Sequence, residues 1–78
     1  MDQDVTRAMM DEILQRQGKA PTGSPGASLR EIGFRSLDFS ELALRVEDEV
    51  GRELNFEADE LRGLHTVADV TAFFERHG

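Results

Sequence analysis

With no cysteine anywhere in its 78 residues, this chain has only serines, threonines, two histidines and sixteen carboxylates able to do chemistry. Disulfides, thiolate metal sites and a cysteine nucleophile are therefore excluded. His65 and His77 stand twelve apart with no partner at metal-ligand spacing, and both read as surface or capping residues. No serine pairs with a histidine at a recognisable catalytic spacing, and so short a chain has little room for a deep pocket. The residue that stands out is Ser36. It follows Gly33-Phe-Arg and opens an amphipathic segment, where a serine hydroxyl is expected to cap a helix by accepting from backbone N–H groups.

Several elements must position that serine. From Asp4 to Gln17, Val5, Met9 and Ile13 recur at i, i+4, i+8, with Met10 and Leu14 beside them, which is the apolar stripe of a first helix. Gly18 ends it, and the stretch from Gly18 to Ala27 holds both prolines and three of the seven glycines, an irregular connector too long for a tight turn. Beyond it, Leu29, Ile32 and Phe34 are expected to pin the loop end onto the core, with one short turn over Ser28 to Glu31. A second helix should run from Ser36 to about Val50, before Gly51. A short third covers Glu57 to Arg62. A last helix starts after Thr66, whose spacing to Asp69 matches a capping box, and carries Val67, Val70, Phe73 and Phe74 up to about His77. The expected fold is all-α, a single domain over 1–78: a small antiparallel bundle of three main helices plus one short one, with a long loop between the first and second.

Nine basic against sixteen acidic side chains leave a net charge of -7, which disfavours nucleic acid and anionic membrane surfaces as partners. The excess is local. Between Leu37 and Glu60 nine acids face two bases, a surplus of seven negative charges, and the remainder of the chain is neutral. On a wheel of about 100° per residue, Phe39, Leu42, Ala43, Val46 and Val50 share the core side of the second helix. Leu37, Glu41, Leu44 and Asp48 fall about 180° away. Core packing does not account for two leucines there. The face reads either as a solvated surface or as a docking strip for a basic partner.

The stretch Gly33-Phe-Arg-Ser-Leu-Asp-Phe-Ser-Glu-Leu42 resembles the signature of the acyl carrier protein family, in which a glycine is followed after two residues by a serine and leucine opening the second helix. Glu41-Leu42, the acidic run Glu47-Asp48-Glu49, Glu53-Leu54 and Leu64-His-Thr-Val-Ala-Asp69 also fall where that family carries similar residues. The resemblance implies that Ser36 bears a covalent 4′-phosphopantetheine, donated by coenzyme A through a Mg²⁺-dependent phosphopantetheinyl transferase, with cargo held on its thiol as a thioester. A helix N-terminus, with unpaired N–H groups and the positive end of the dipole, suits a phosphodiester. Partner docking is expected of Arg35, Leu37, Asp38, Glu41, Leu44 and Asp48, and the resemblance further implies a cargo cavity walled by Val46, Leu61 and Leu64. Arg35 departs from the family, which usually has aspartate before the serine, and reverses a charge beside the modification site.

The sequence thus leads to a monomeric carrier with no reaction of its own, served by a transferase and by acyl-loading and acyl-processing enzymes with basic docking surfaces, in fatty-acid, polyketide or another specialised metabolism. The alternatives are an unmodified acidic helical adaptor, and a peptidyl or aryl carrier. The start, Met1-Asp2-Gln3-Asp4, shows neither the basic nor the apolar region of an export signal, and no apolar run approaches the roughly 20 residues that span a bilayer. A cytoplasmic location is expected.

Overall fold

The first helix forms where an acid stands ready to start it. In the computed structural model, which describes all 78 residues apart from the side chain of Ala58, Asp2 caps α1 (Gln3–Arg16) by accepting from the amides of Asp4 (2.7 Å) and Val5 (3.2 Å). The buried side of α1 is Thr6, Met10, Ile13 and Leu14. It is turned from the expected stripe, for Val5 is 40% exposed while Thr6 is wholly buried. Thr6 tolerates the core because its hydroxyl donates to the Asp2 carbonyl at 3.1 Å, leaving a methyl to pack inward.

The long connector is irregular, as its prolines and glycines require, yet it is tied down at both ends. Thr22 is buried, receives a bond from Arg7 Nε (3.0 Å), and donates its amide to Asp11 Oδ1 (2.7 Å). Further on, the Pro25 and Ala27 carbonyls accept from the amides of Ala68 (2.8 Å) and Val67 (3.0 Å), and the Leu29 amide donates to the His65 carbonyl (2.9 Å). These bonds satisfy amides that a helix start leaves unpaired. They also set the next element, α2 (Leu29–Ile32), against the start of the last helix. This short turn begins one residue later than expected, because Ser28 serves as its N-cap position. Phe34 is buried, and Leu29 and Ile32 pack against the core as expected.

Gly33 ends α2 at φ 77°, a left-handed conformation that disfavours a side chain, and a Cβ there would meet Lys19 Nζ at 3.0 Å. The turn passes directly into α3 (Ser36–Val50), followed by α4 (Ala58–Arg62) and α5 (Val67–His77). Leu42 and Val46 of α3 meet Met10, Ile13 and Leu14 of α1 and Val67, Val70, Phe73 and Phe74 of α5 in one core. Phe39, Phe56, Phe73 and Phe74 form an aromatic group, with ring centroids 5.0 Å apart for Phe56 and Phe73 and 5.3 Å for Phe39 and Phe74. Such pairs add roughly 0.5–1.5 kcal/mol each beyond their burial, which matters in a core this thin. Five helices build the bundle: the three main ones, the short α4, and α2 in the place of the expected short turn. The described residues hold no strand, only one isolated bridge between Ser28 and Thr66. The radius of gyration, 11.4 Å, equals that of a close-packed single domain of this length, about 11.5 Å.

Candidate functional site at the start of α3

The helix carrying Ser36 is capped, but not by Ser36. Arg35 occupies the N-cap position with extended backbone (φ -103°, ψ 179°), and Ser36 is the first helical residue. The Arg35 amide donates to Asp38 Oδ2 at 2.8 Å, and Gln17 Nε2 donates to the other oxygen, Oδ1. Asp38 therefore does the capping and ties the end of α1 to the start of α3. Its side chain is 6% exposed, so the structure moves it from the expected docking face to the interior of the junction. A carboxylate three residues into a helix reaches back to the preceding amide naturally, and it is a stronger acceptor than a serine hydroxyl.

That arrangement releases Ser36. Its side chain is exposed and its hydroxyl makes no hydrogen bond among the described residues; only its carbonyl is engaged, by Ser40 Oγ at 3.2 Å. No base is bound to the hydroxyl, so chemistry at Oγ depends on activation by a partner. Beside it opens a groove of about 420 Å³, lined by Leu29 and Arg30 of α2, Phe34 and Arg35 of the connection, Ser36, Phe39 and Ser40 of α3, Leu61 of α4 and Leu64 beyond it. Leu61 and Leu64 stand where a cavity wall was expected. Val46 is not among the groove's lining residues: it is fully buried in the core, nearly two turns along α3 from Phe39 and Ser40.

The charges around the groove differ from those of the chain as a whole. Arg30 and Arg35 are both exposed at its rim, and neither guanidinium has a carboxylate within 4.0 Å among the described residues. The two nearest acids on α3 are engaged elsewhere. Asp38 is the cap, and Glu41 is held by Arg16 and Arg45, each at 3.1 Å. Leu37 and Leu44 are 85% and 66% exposed, and Asp48 is exposed. Of the six residues expected to dock partners, then, Arg35, Leu37, Leu44 and Asp48 are free on the surface, Glu41 is half-buried in ion pairs and Asp38 is buried.

Arg30 and Ser40 are groove residues that sequence reading did not single out, and Leu29 was expected only as a core anchor. Arg30 is brought to the same groove as Ser36 by the hydrogen bonds from the connector to the start of α5, a long-range arrangement with no local signal. Neither histidine lines the groove. His77 Nε2 meets Glu60 Oε2 at 3.0 Å, linking α5 to α4, and its ring packs on Phe73 with centroids 4.5 Å apart. His65 is exposed. Asp69 accepts from the amides of His65 (2.9 Å) and Thr66 (3.0 Å), and these bonds hold its carboxyl below the usual 3.8. Among the described residues, no helix is long and apolar enough to cross a membrane.

A scan against protein-family models and a search of curated proteins gave no match. Among solved structures, an acyl carrier protein from Thermotoga maritima superposes with a TM-score of 0.70 and is 26% identical, with 99% of this chain and 91% of that chain covered. The likeness thus spans nearly the whole of both molecules, the start of α3 included. The chain has the fold of an acyl carrier protein, which is the fold of a carrier and not of an enzyme.

Proposed function

We propose that this protein carries an acyl or similar group as a thioester on a 4′-phosphopantetheine arm esterified to Ser36. The observation that carries the reading is the state of the serine: exposed, free of capping duty, in the first turn of α3, and opening onto a groove with an apolar floor and two guanidinia at its rim. The fit is chemical as well as geometric. The start of α3 favours a phosphodiester anion, and Leu29, Phe34, Phe39, Leu61 and Leu64 offer apolar surface to an arm or its cargo. Loading exchanges a phosphoanhydride for a phosphoester: Ser36 Oγ bonds the phosphorus bearing pantetheine as the anhydride bond joining that phosphorus to the rest of coenzyme A breaks, and adenosine 3′,5′-bisphosphate leaves. The transferase accepts the serine proton.

Leu37, Leu44 and Asp48, exposed together on the outward face of α3, are the surface on which transferase and acyl-handling enzymes would dock, the leucines supplying contact and the acid steering basic partners. Fatty-acid, polyketide or other specialised biosynthesis would use such a carrier.

Intact mass after incubation with coenzyme A, Mg²⁺ and a broad-specificity phosphopantetheinyl transferase tests the reading, with Ser36→Ala alongside. A gain of one phosphopantetheine, absent in the variant, is expected. An unchanged mass with several transferases would leave an acidic adaptor that binds through the same α3 face.

A further inference from the structure

We infer that Arg30 and Arg35 form a clamp for the phosphodiester on Ser36 and so direct the arm into the groove instead of across the outward face of α3. The inference rests on the carrier reading above and specifies what holds the arm.

Reach sets the first constraint. A phosphate esterified to Ser36 Oγ cannot leave the neighbourhood of that oxygen, whatever the rest of the arm does. Ser36, Arg30 and Arg35 line one groove, whereas Leu37, which is 85% exposed, is not among its lining residues. Both guanidinia lack a carboxylate within 4.0 Å among the described residues, on a chain whose net charge is -7. The two acids nearest along α3 do not compete for them. Asp38 is spent on the Arg35 amide and Gln17, and Glu41 on Arg16 and Arg45.

Guanidinium is the side chain best suited to hold a phosphate, since its planar donors match two oxygens at once and it is weakly hydrated. A partner's carboxylate is a weaker claimant, because it arrives only during encounters whereas the phosphodiester is tethered at high effective concentration. With the anion held at the rim, the first atoms of pantetheine start over Phe34, Phe39 and Leu61. Leu37 and Leu44 then stay clear for docking, so one helix presents two separate surfaces, one for the arm and one for partners.

The test uses the full chain in apo and holo forms, their conversion confirmed by mass, for wild type, Arg30→Gln, Arg35→Gln and the double variant. Each holo form is compared with its own apo form, so a change in baseline stability cancels. Wild type should gain Tm on modification, on the order of 4 °C, with amide shift changes at Leu29, Phe34 and Leu61. The double variant should lose more than half of that gain together with the groove shifts, and wild type should lose much of it in about 0.5 M salt, where exposed charges are screened. An equal gain and equal groove shifts in the double variant, or no groove shifts in wild type, would overturn the clamp. Should no transferase modify Ser36, the carrier reading fails by mass, and the clamp is then read from titration of the apo protein with free 4′-phosphopantetheine. Groove shifts that vanish in the double variant uphold it; their absence in wild type ends it.

Discussion

Replacing Asp38 by alanine removes the acceptor of the Arg35 amide and of the Gln17 side chain together, at a position only 6% exposed. The first loss dominates. A carboxylate accepting from a helix-start amide contributes about 0.5–2 kcal/mol as a cap, and about 1.5–3 kcal/mol as a charged acceptor. The Gln17 amide is exposed and regains water, so its loss adds little. About 2 kcal/mol is therefore expected, against a total of roughly 4–12 kcal/mol for a domain of this length. At about 4–8 °C per kcal/mol for so small a domain, Tm should fall by roughly 8–16 °C. Asp38→Asn keeps one carbonyl acceptor and should lose about half as much. Thermal and urea unfolding followed by far-ultraviolet circular dichroism measure both. Hydrogen exchange at the Arg35 amide gives a local reading, since that proton should exchange faster in Asp38→Ala. A loss under about 0.5 kcal/mol, with the Arg35 amide still protected, would refute the assignment of Asp38 as the cap that frees Ser36.

Other expectations are read by simpler assays. Leu44→Arg changes a side chain 66% exposed on the outward face of α3, so stability should stay within about 0.5 kcal/mol while modification by the transferase slows through a higher KM; an unchanged KM would remove Leu44 from the docking surface. The Asp69 carboxyl is held below its usual 3.8 by the amides of His65 and Thr66, so its contribution is fully present above 3.8 and is lost as pH falls through the lowered folded-state value. Wild type should accordingly lose stability below about pH 4 more steeply than Asp69→Asn, and equal acid slopes in urea titrations would argue against it.

Periodicity sufficed for the main helices because each must bury one face. The spacing of Leu42 and Val46, and of Val67, Val70, Phe73 and Phe74, marks core sides that the structure retains. It misled at Val5 and Thr6, because a pattern of residue types does not register that a threonine can satisfy its own hydroxyl against the Asp2 carbonyl and so displace an aliphatic neighbour from the interior. It pointed to α2 only as a short turn, because four residues carry no period.

The candidate site divides in the same way. Ser36, Leu37 and Leu44 were legible along the chain, since a serine opening a helix and leucines opposite the core side are properties of one element. Which residue caps that helix, which acids stay free and which walls face the serine were not legible. Those depend on elements distant in sequence: Gln17 meeting Asp38, Arg16 taking Glu41, and the connector's bonds to Val67 and Ala68 that bring Arg30 to the groove. The sequence alone determined the main helices, the buried faces of α3 and α5 and an exposed serine at a helix start. Tertiary structure alone decided that this serine is unburdened, that Val46 is core and Asp38 a cap, and that the surroundings of Ser36 are cationic on an acidic protein, because hydrogen bonds and ion pairs between elements determine which charges remain available.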